Sequence, residues 1–135
     1  MTDTDDNDVS LSDLQFELMR VLWLRDEATV AEIAEALAQT RELAHTTVAT
    51  LLTRLARRGM VSARRDSRQL VYRAEVAEPE VRRSMVGGLL RSVFGGDPKA
   101  LLAHLVSERE VNSRDLARMH ELLARKPERK PERKP

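Results

Sequence analysis

The sequence predicts a mainly α-helical chain with one small β hairpin, built as a small mixed domain followed by a helical one. Three observations predict it. Apolar residues recur at helical spacing from residue 11 to residue 58, the period switches to two between Met60 and Ala74, and the helical period returns from Glu78 to about residue 124. A length of 135 residues accommodates one domain, or a small domain with an appendage. The hydrophobic content of 41% supports a real core, and the aromatic content of 3% leaves Leu, Val, Ala and Met to pack it.

Residues 1–10 carry Asp3, Asp5, Asp6 and Asp8 without a base and read as a disordered acidic leader. Ser12-x-x-Gln15 is a capping-box pattern that opens a first helix to about Leu24. Leu11, Leu14, Leu18, Met19, Leu22 and Trp23 give it a wide apolar face, suited to a helix packed between other elements. Arg25–Ala28 reads as a turn. Thr29-x-x-Glu32 is a second capping box, followed by Val30, Ile33, Ala34 and Leu37 at helical spacing. A connection of about six residues leads to a third helix over Ala44–Arg58, stopped by Gly59.

The third helix is the most informative stretch. Val48, Leu51, Leu52 and Leu55 share one face. Thr46, Thr50, Thr53 and Arg57 fall on the other, with Thr47 and Arg54 at its edges and no acid among them. An ordinary solvated helix mixes Glu with Lys for i,i+4 pairing. Threonine methyls and hydroxyls flanked by arginines suit thymine methyls, base edges, phosphates and guanine.

Met60–Arg65 and Leu70–Ala74 alternate as two short strands bridged by Asp66-Ser67-Arg68, a turn-favouring sequence. Between Arg41 and Arg73 the chain carries Arg41, Arg54, Arg57, Arg58, Arg64, Arg65, Arg68 and Arg73 against only Glu42 and Asp66. The formal net charge of +1 hides this basic middle, an electrostatic footprint for nucleic acid. Three helices and a basic hairpin, over residues 11–76, make the layout of a winged helix-turn-helix with double-stranded DNA as its partner. Arg64, Arg65 and Arg68 lie near the wing tip. A winged helix that binds an acidic protein through the same face is the alternative, but such modules usually lose these bases.

Residues 77–124 read as three further helices, the first opened by Glu78-Pro79 and the third capped by Ser113. Their apolar positions are Val81, Met85, Leu89, Val93 and Phe94, then Leu101, Leu102 and Leu105, then Leu116, Met119, Leu122 and Leu123. One chain offers too little partner surface for them, so the expectation is a dimerisation domain that pairs two copies. Gly87-Gly88 lowers helix propensity inside the first of these helices, and Gly95-Gly96-Asp97-Pro98 breaks the chain before the second. Residues 125–135 repeat Arg-Lys-Pro-Glu and read as a solvated, basic, Pro-rich disordered tail.

The exclusions are as useful. With no cysteine there is no disulfide, thiol chemistry or Cys-ligated metal. His45, His104 and His120 are too scattered to suggest a metal site. No Gly-rich phosphate loop, nucleophile elbow or His-Glu metal motif occurs, so neither an enzyme nor a cofactor is expected. Two Phe, one Tyr and one Trp give little with which to line a ligand pocket. The polar, acidic start is unlike a secretory signal and no apolar run approaches the roughly 20 residues of a membrane span, so a cytoplasmic protein is expected.

LSDLQFELMRVLW, TVAEIAEAL, AHTTVATLLTRLARRGMV, a basic wing ending in Tyr-Arg, and FGGDPKALLAHLVSE together resemble the penicillinase-repressor family of bacterial regulators over about residues 11–124. The resemblance implies a dimeric repressor on a dyad operator. It implies that Thr46, Thr47, Thr50 and Arg54 face DNA, with Arg57 on the same helix, and that Arg65 and Arg68 touch phosphates or the minor groove from the wing. His45 stands where family members usually carry tyrosine, and as an imidazole it can still bond a phosphate. In antibiotic-responsive members a sensor peptidase leads to cleavage at an Asn-Phe bond in the second dimerisation helix. The equivalent position here is His104-Leu105, and the chain has no Asn-Phe dipeptide. The copper-responsive branch uses Cys-x-Cys pairs, which are absent.

Overall fold

The computed structural model describes residues 11–125, so the expected acidic leader and the expected basic tail lie outside the described residues, except Arg125, which is the last residue of a helix rather than the first of the tail. The chain divides into two units, Met1–Leu89 and Leu90–Pro135. In the first, the element order is α1 (Asp13–Arg25), β1 (Glu27–Thr29), α2 (Val30–Leu37), α3 (His45–Arg57), β2 (Val61–Asp66) and β3 (Gln69–Ala74). Helix α4 (Glu78–Phe94) begins in this unit and runs unbroken through Gly87-Gly88, and α5 (Pro98–Ser107) and α6 (Ser113–Arg125) follow in the second.

Both capping boxes form. The Ser12 hydroxyl accepts from the Gln15 N–H at 3.1 Å while Gln15 Oε1 accepts from the Ser12 N–H at 3.0 Å. Thr29 and Glu32 repeat the exchange at 3.2 and 2.9 Å. Each box satisfies donors that the helical ladder leaves open and so fixes where its helix starts.

The sheet is larger than the expected hairpin. Residues Glu27–Thr29 do not form a simple turn but a third strand, and the order is β1-β3-β2, all antiparallel. Glu27, Ala28 and Thr29 lie opposite Arg73, Tyr72 and Val71. Asp26, at φ 76°, closes α1 and turns the chain into this strand. Between β2 and β3 the loop is only Ser67-Arg68, with Asp66 paired to Gln69 and Ser67 at φ 61°, the left-handed backbone that tight hairpins require.

Leu18, Met19 and Leu22 of α1, Ile33 and Leu37 of α2, and Val48, Leu52 and Leu55 of α3 meet Ala28, Val61 and Tyr72 from one face of the sheet in a single core. Helix α3 leaves it through a Schellman turn. The Met60 N–H reaches the Leu55 carbonyl and the Gly59 N–H the Ala56 carbonyl, both at 3.0 Å, with Gly59 at φ 77°. A side chain at Gly59 would be strained there, so this glycine sets the angle at which β2 departs.

Val81 corrects one expectation. Placed by its spacing on the intersubunit stripe, it is instead fully buried in the core of the first unit, with Met85 packed against the same cluster. The approach to α4 is anchored by the Trp23 indole N–H, which donates to the Val76 carbonyl at 2.8 Å. Val81→Ala is therefore expected to destabilise the first unit by about 2 kcal/mol, the loss of two buried methyls plus a small cavity, without changing the oligomeric state. Urea unfolding beside light scattering checks both halves. No helix among the described residues is long and apolar enough to cross a membrane.

Candidate nucleic-acid interface

Helix α3 presents an outer face of His45, Thr46, Thr47, Thr50, Thr53, Arg54 and Arg57, all exposed, because the spacing of Val48, Leu52 and Leu55 turns the other face into the core. Thr46, Thr47, Thr50, half-buried Leu51 and Arg54 line one shallow concavity on that face. The connection from α2 is held by a two-point ion pair, in which Arg41 Nε and Nη2 donate to Glu17 on α1 at 3.1 and 2.9 Å. That fork uses Arg41 structurally rather than as part of the outer face.

The threonines are more constrained than their sequence suggests. The Thr50 hydroxyl donates to the Thr46 carbonyl, and the Thr53 hydroxyl to the Ala49 carbonyl, each at 2.9 Å. With its proton spent inside the helix, each offers the outside a methyl and an acceptor oxygen. Such a side chain fits a thymine methyl or a base amino group better than a phosphate oxygen, which needs a donor. Ala44 occupies the N-cap of α3 and supplies no side-chain cap, so the positive end of the helix dipole and exposed His45 face the same surroundings.

The structure sorts the central arginines. Arg41 pairs with Glu17, Arg64 with Glu27, and Arg73 with Glu75. Arg54 and Arg57 on α3, and Arg65 and Arg68 on the wing, have no ion-pair partner among the described residues and are exposed. The pair between Glu27 and Arg64 is one that sequence reasoning missed. Its members are 37 residues apart and meet only because β1 joins the sheet. The Glu27 carboxyl is held below its ordinary value, chiefly by hydrogen bonding to Arg64 and further by the charges of Arg64 and Arg73, against a desolvation that raises it. Arg64 is raised by the same bond and by the same charge. The pair is therefore fully ionised at neutral pH, and its contribution is lost only as pH falls through the lowered Glu27 value.

In the second unit no residue of α5 or α6 is buried. Leu102, Met119, Leu122 and Leu123 are exposed, Leu101, Leu105 and Leu116 half-buried, and the Phe94 ring lies 5.6 Å from that of His104. On α4, Leu89 and Val93 are exposed as well. His104-Leu105 sits inside α5, so a peptidase that needs extended substrate would have to open the helix first. No cluster of three or more His, Asp or Glu that could hold a metal ion occurs among the described residues.

Residues 11–125 match the penicillinase repressor family across this whole described span. The chain belongs to that family. A transcriptional regulator BlaI from Mycobacterium tuberculosis is 37% identical over 110 residues, covering 80% of each chain. The penicillinase repressor of Staphylococcus aureus is 21% identical over 115 residues, covering 85% of this chain and 91% of its own. The methicillin resistance regulatory protein MecI of Mammaliicoccus sciuri is 21% identical over 122 residues, or 90% and 99%. The solution structure of the DNA binding domain of the repressor BlaI is 27% identical, with a TM-score of 0.48 over 52% of this chain and 85% of its own. Penicillinase repressors are transcriptional regulators and not enzymes, and the mainly helical fold with a three-stranded sheet accords with that membership.

Proposed function

We propose that this penicillinase-repressor family member is a dimeric transcriptional repressor that binds a dyad operator through α3 and the β2–β3 wing. One observation carries the reading: the acid-free threonine and arginine face of α3 and the wing together present Arg54, Arg57, Arg65 and Arg68, all exposed and none with an ion-pair partner among the described residues. Thr46, Thr47, Thr50 and Arg54 meet base edges, and His45, Arg57, Arg65 and Arg68 meet the backbone. Two copies place two α3 helices about one helical turn apart, roughly 34–36 Å, on a pseudo-palindrome. The exposed apolar positions of α4, α5 and α6 supply the contact between copies.

Release follows from proteolysis at or near His104-Leu105, downstream of a sensor peptidase, because cutting α5 there detaches its last turn and α6, and with them part of the contact between copies. The regulated genes belong to the β-lactamase and antibiotic-resistance class. A mobility shift on the promoter fragment upstream of the protein's own gene, at two salt concentrations with competitor DNA, tests the reading. A discrete, competitor-resistant, salt-weakened complex supports it. A smear abolished by competitor would overturn it, and the basic face would then belong to an acidic protein partner.

A further inference from the structure

The outer face of the sheet treats one wing arginine differently from its neighbours. Strand alternation puts Arg65 on the face shared with Val61 and Ala63, and Arg64 on the opposite face with Glu27 across β3. All three guanidinium nitrogens of Arg64 are turned to carboxylates. Nη2 and Nε donate to Glu27 at 2.7 and 3.3 Å, and Nη1 lies 4.0 Å from Asp66. Arg65 and Arg68 have no such partners among the described residues. Arg64 lies close to the wing tip, between Ala63 and Arg65, so it would add a phosphate contact if released.

We propose that Glu27 is a positioning residue of the DNA interface: by holding Arg64 on the outer sheet face, it limits the wing to Arg65 and Arg68 and so restrains affinity for non-operator DNA. The proposal rests on the DNA-binding reading above. Its physical basis is that each phosphate neutralised adds to sequence-independent affinity, with a slope near −0.9 in log K against log salt. A cation withheld from phosphate lowers binding to every sequence, yet costs the operator complex no base contact. The ratio of operator to non-operator affinity is left unchanged, and what Glu27 holds down is the absolute affinity for non-operator DNA.

The test uses the full chain, a random-sequence duplex of about 30 base pairs and fluorescence anisotropy across a salt series. Glu27→Gln is expected to tighten binding to this duplex about tenfold at about 50 mM salt and to steepen the slope by roughly 0.9. Arg64→Gln alone is expected to leave the wild-type slope unchanged, and Glu27→Gln with Arg64→Gln to return to it. An unchanged slope in Glu27→Gln overturns the proposal. So does a gain that persists when Arg64 is absent, because simple removal of a repelling carboxylate, or release of Arg73, would then explain it. A shallower slope in Arg64→Gln alone also overturns it, since Arg64 would already be touching phosphate. If the wild-type chain itself shows no salt-dependent DNA binding, the underlying functional reading fails instead, and the two failures are separately visible.

Discussion

Changing Met119 and Leu123 together to Glu is expected to convert a dimer into a monomer and to weaken operator binding by about 10²–10⁴-fold, while leaving the first unit folded. The two positions are four apart on α6 and share a face. In the single chain Met119 is 40% and Leu123 76% exposed, so the monomer stands to lose little by the exchange. In a dimer the same positions would be desolvated, and burying two carboxylates without partners is strongly unfavourable. The size of the binding effect comes from effective concentration rather than from any DNA contact: with copies paired, occupancy of one half-site delivers the second α3 to the other. Light scattering and a mobility shift on the same preparation check the prediction. If the variant stays dimeric, the α6 stripe is not what joins the copies.

Legibility in the sequence followed the range of the interactions. Both capping boxes were readable because each is closed by residues three apart, and the α3 faces were readable because helical geometry assigns them from spacing alone. Gly59 announced the end of α3 for a similar reason, as a left-handed backbone follows directly from the residue type. Strand β1 was not readable. Three residues carry no usable period, and Glu27–Thr29 becomes a strand only because β3, more than forty residues later, presents a free edge. Val81 failed as an intersubunit residue on related grounds. Helical spacing identifies an apolar stripe but not which neighbour covers it, and the first turns of α4 meet the core beneath them. The Glu27–Arg64 pair depends on both circumstances, a strand without a signal and a partner far along the chain. Counting charges over Arg41–Arg73 found the basic region. Only the fold shows that Arg41, Arg64 and Arg73 are committed to carboxylates.

Arg54→Ala is expected to lower operator affinity by about 1–3 kcal/mol, roughly 5- to 150-fold, and to leave binding to random DNA nearly unchanged. Arg54 is exposed, lacks an ion-pair partner among the described residues, and lines the same concavity as Thr46, Thr47 and Thr50. Thr50 is the neighbour that decides the assignment. Its hydroxyl proton is committed to the Thr46 carbonyl, so it cannot donate to a guanine acceptor, and Arg54 one turn on is the donor available beside it. A bidentate contact to guanine O6 and N7 uses the planar fork, which lysine cannot reproduce, so Arg54→Lys should recover little of the loss. If Arg54 meets phosphate instead, Lys would restore most of the affinity. Ala would then weaken all sequences alike and make the salt slope shallower by about 0.9. Thermal unfolding should hardly move in either variant, because the guanidinium stabilises no partner that the described residues contain. Binding isotherms of the two variants on operator and random duplexes thus distinguish a base-reading arginine from a backbone one without reference to the fold. A loss confined to operator DNA would place the sequence information of the site on the middle of α3 rather than on the wing.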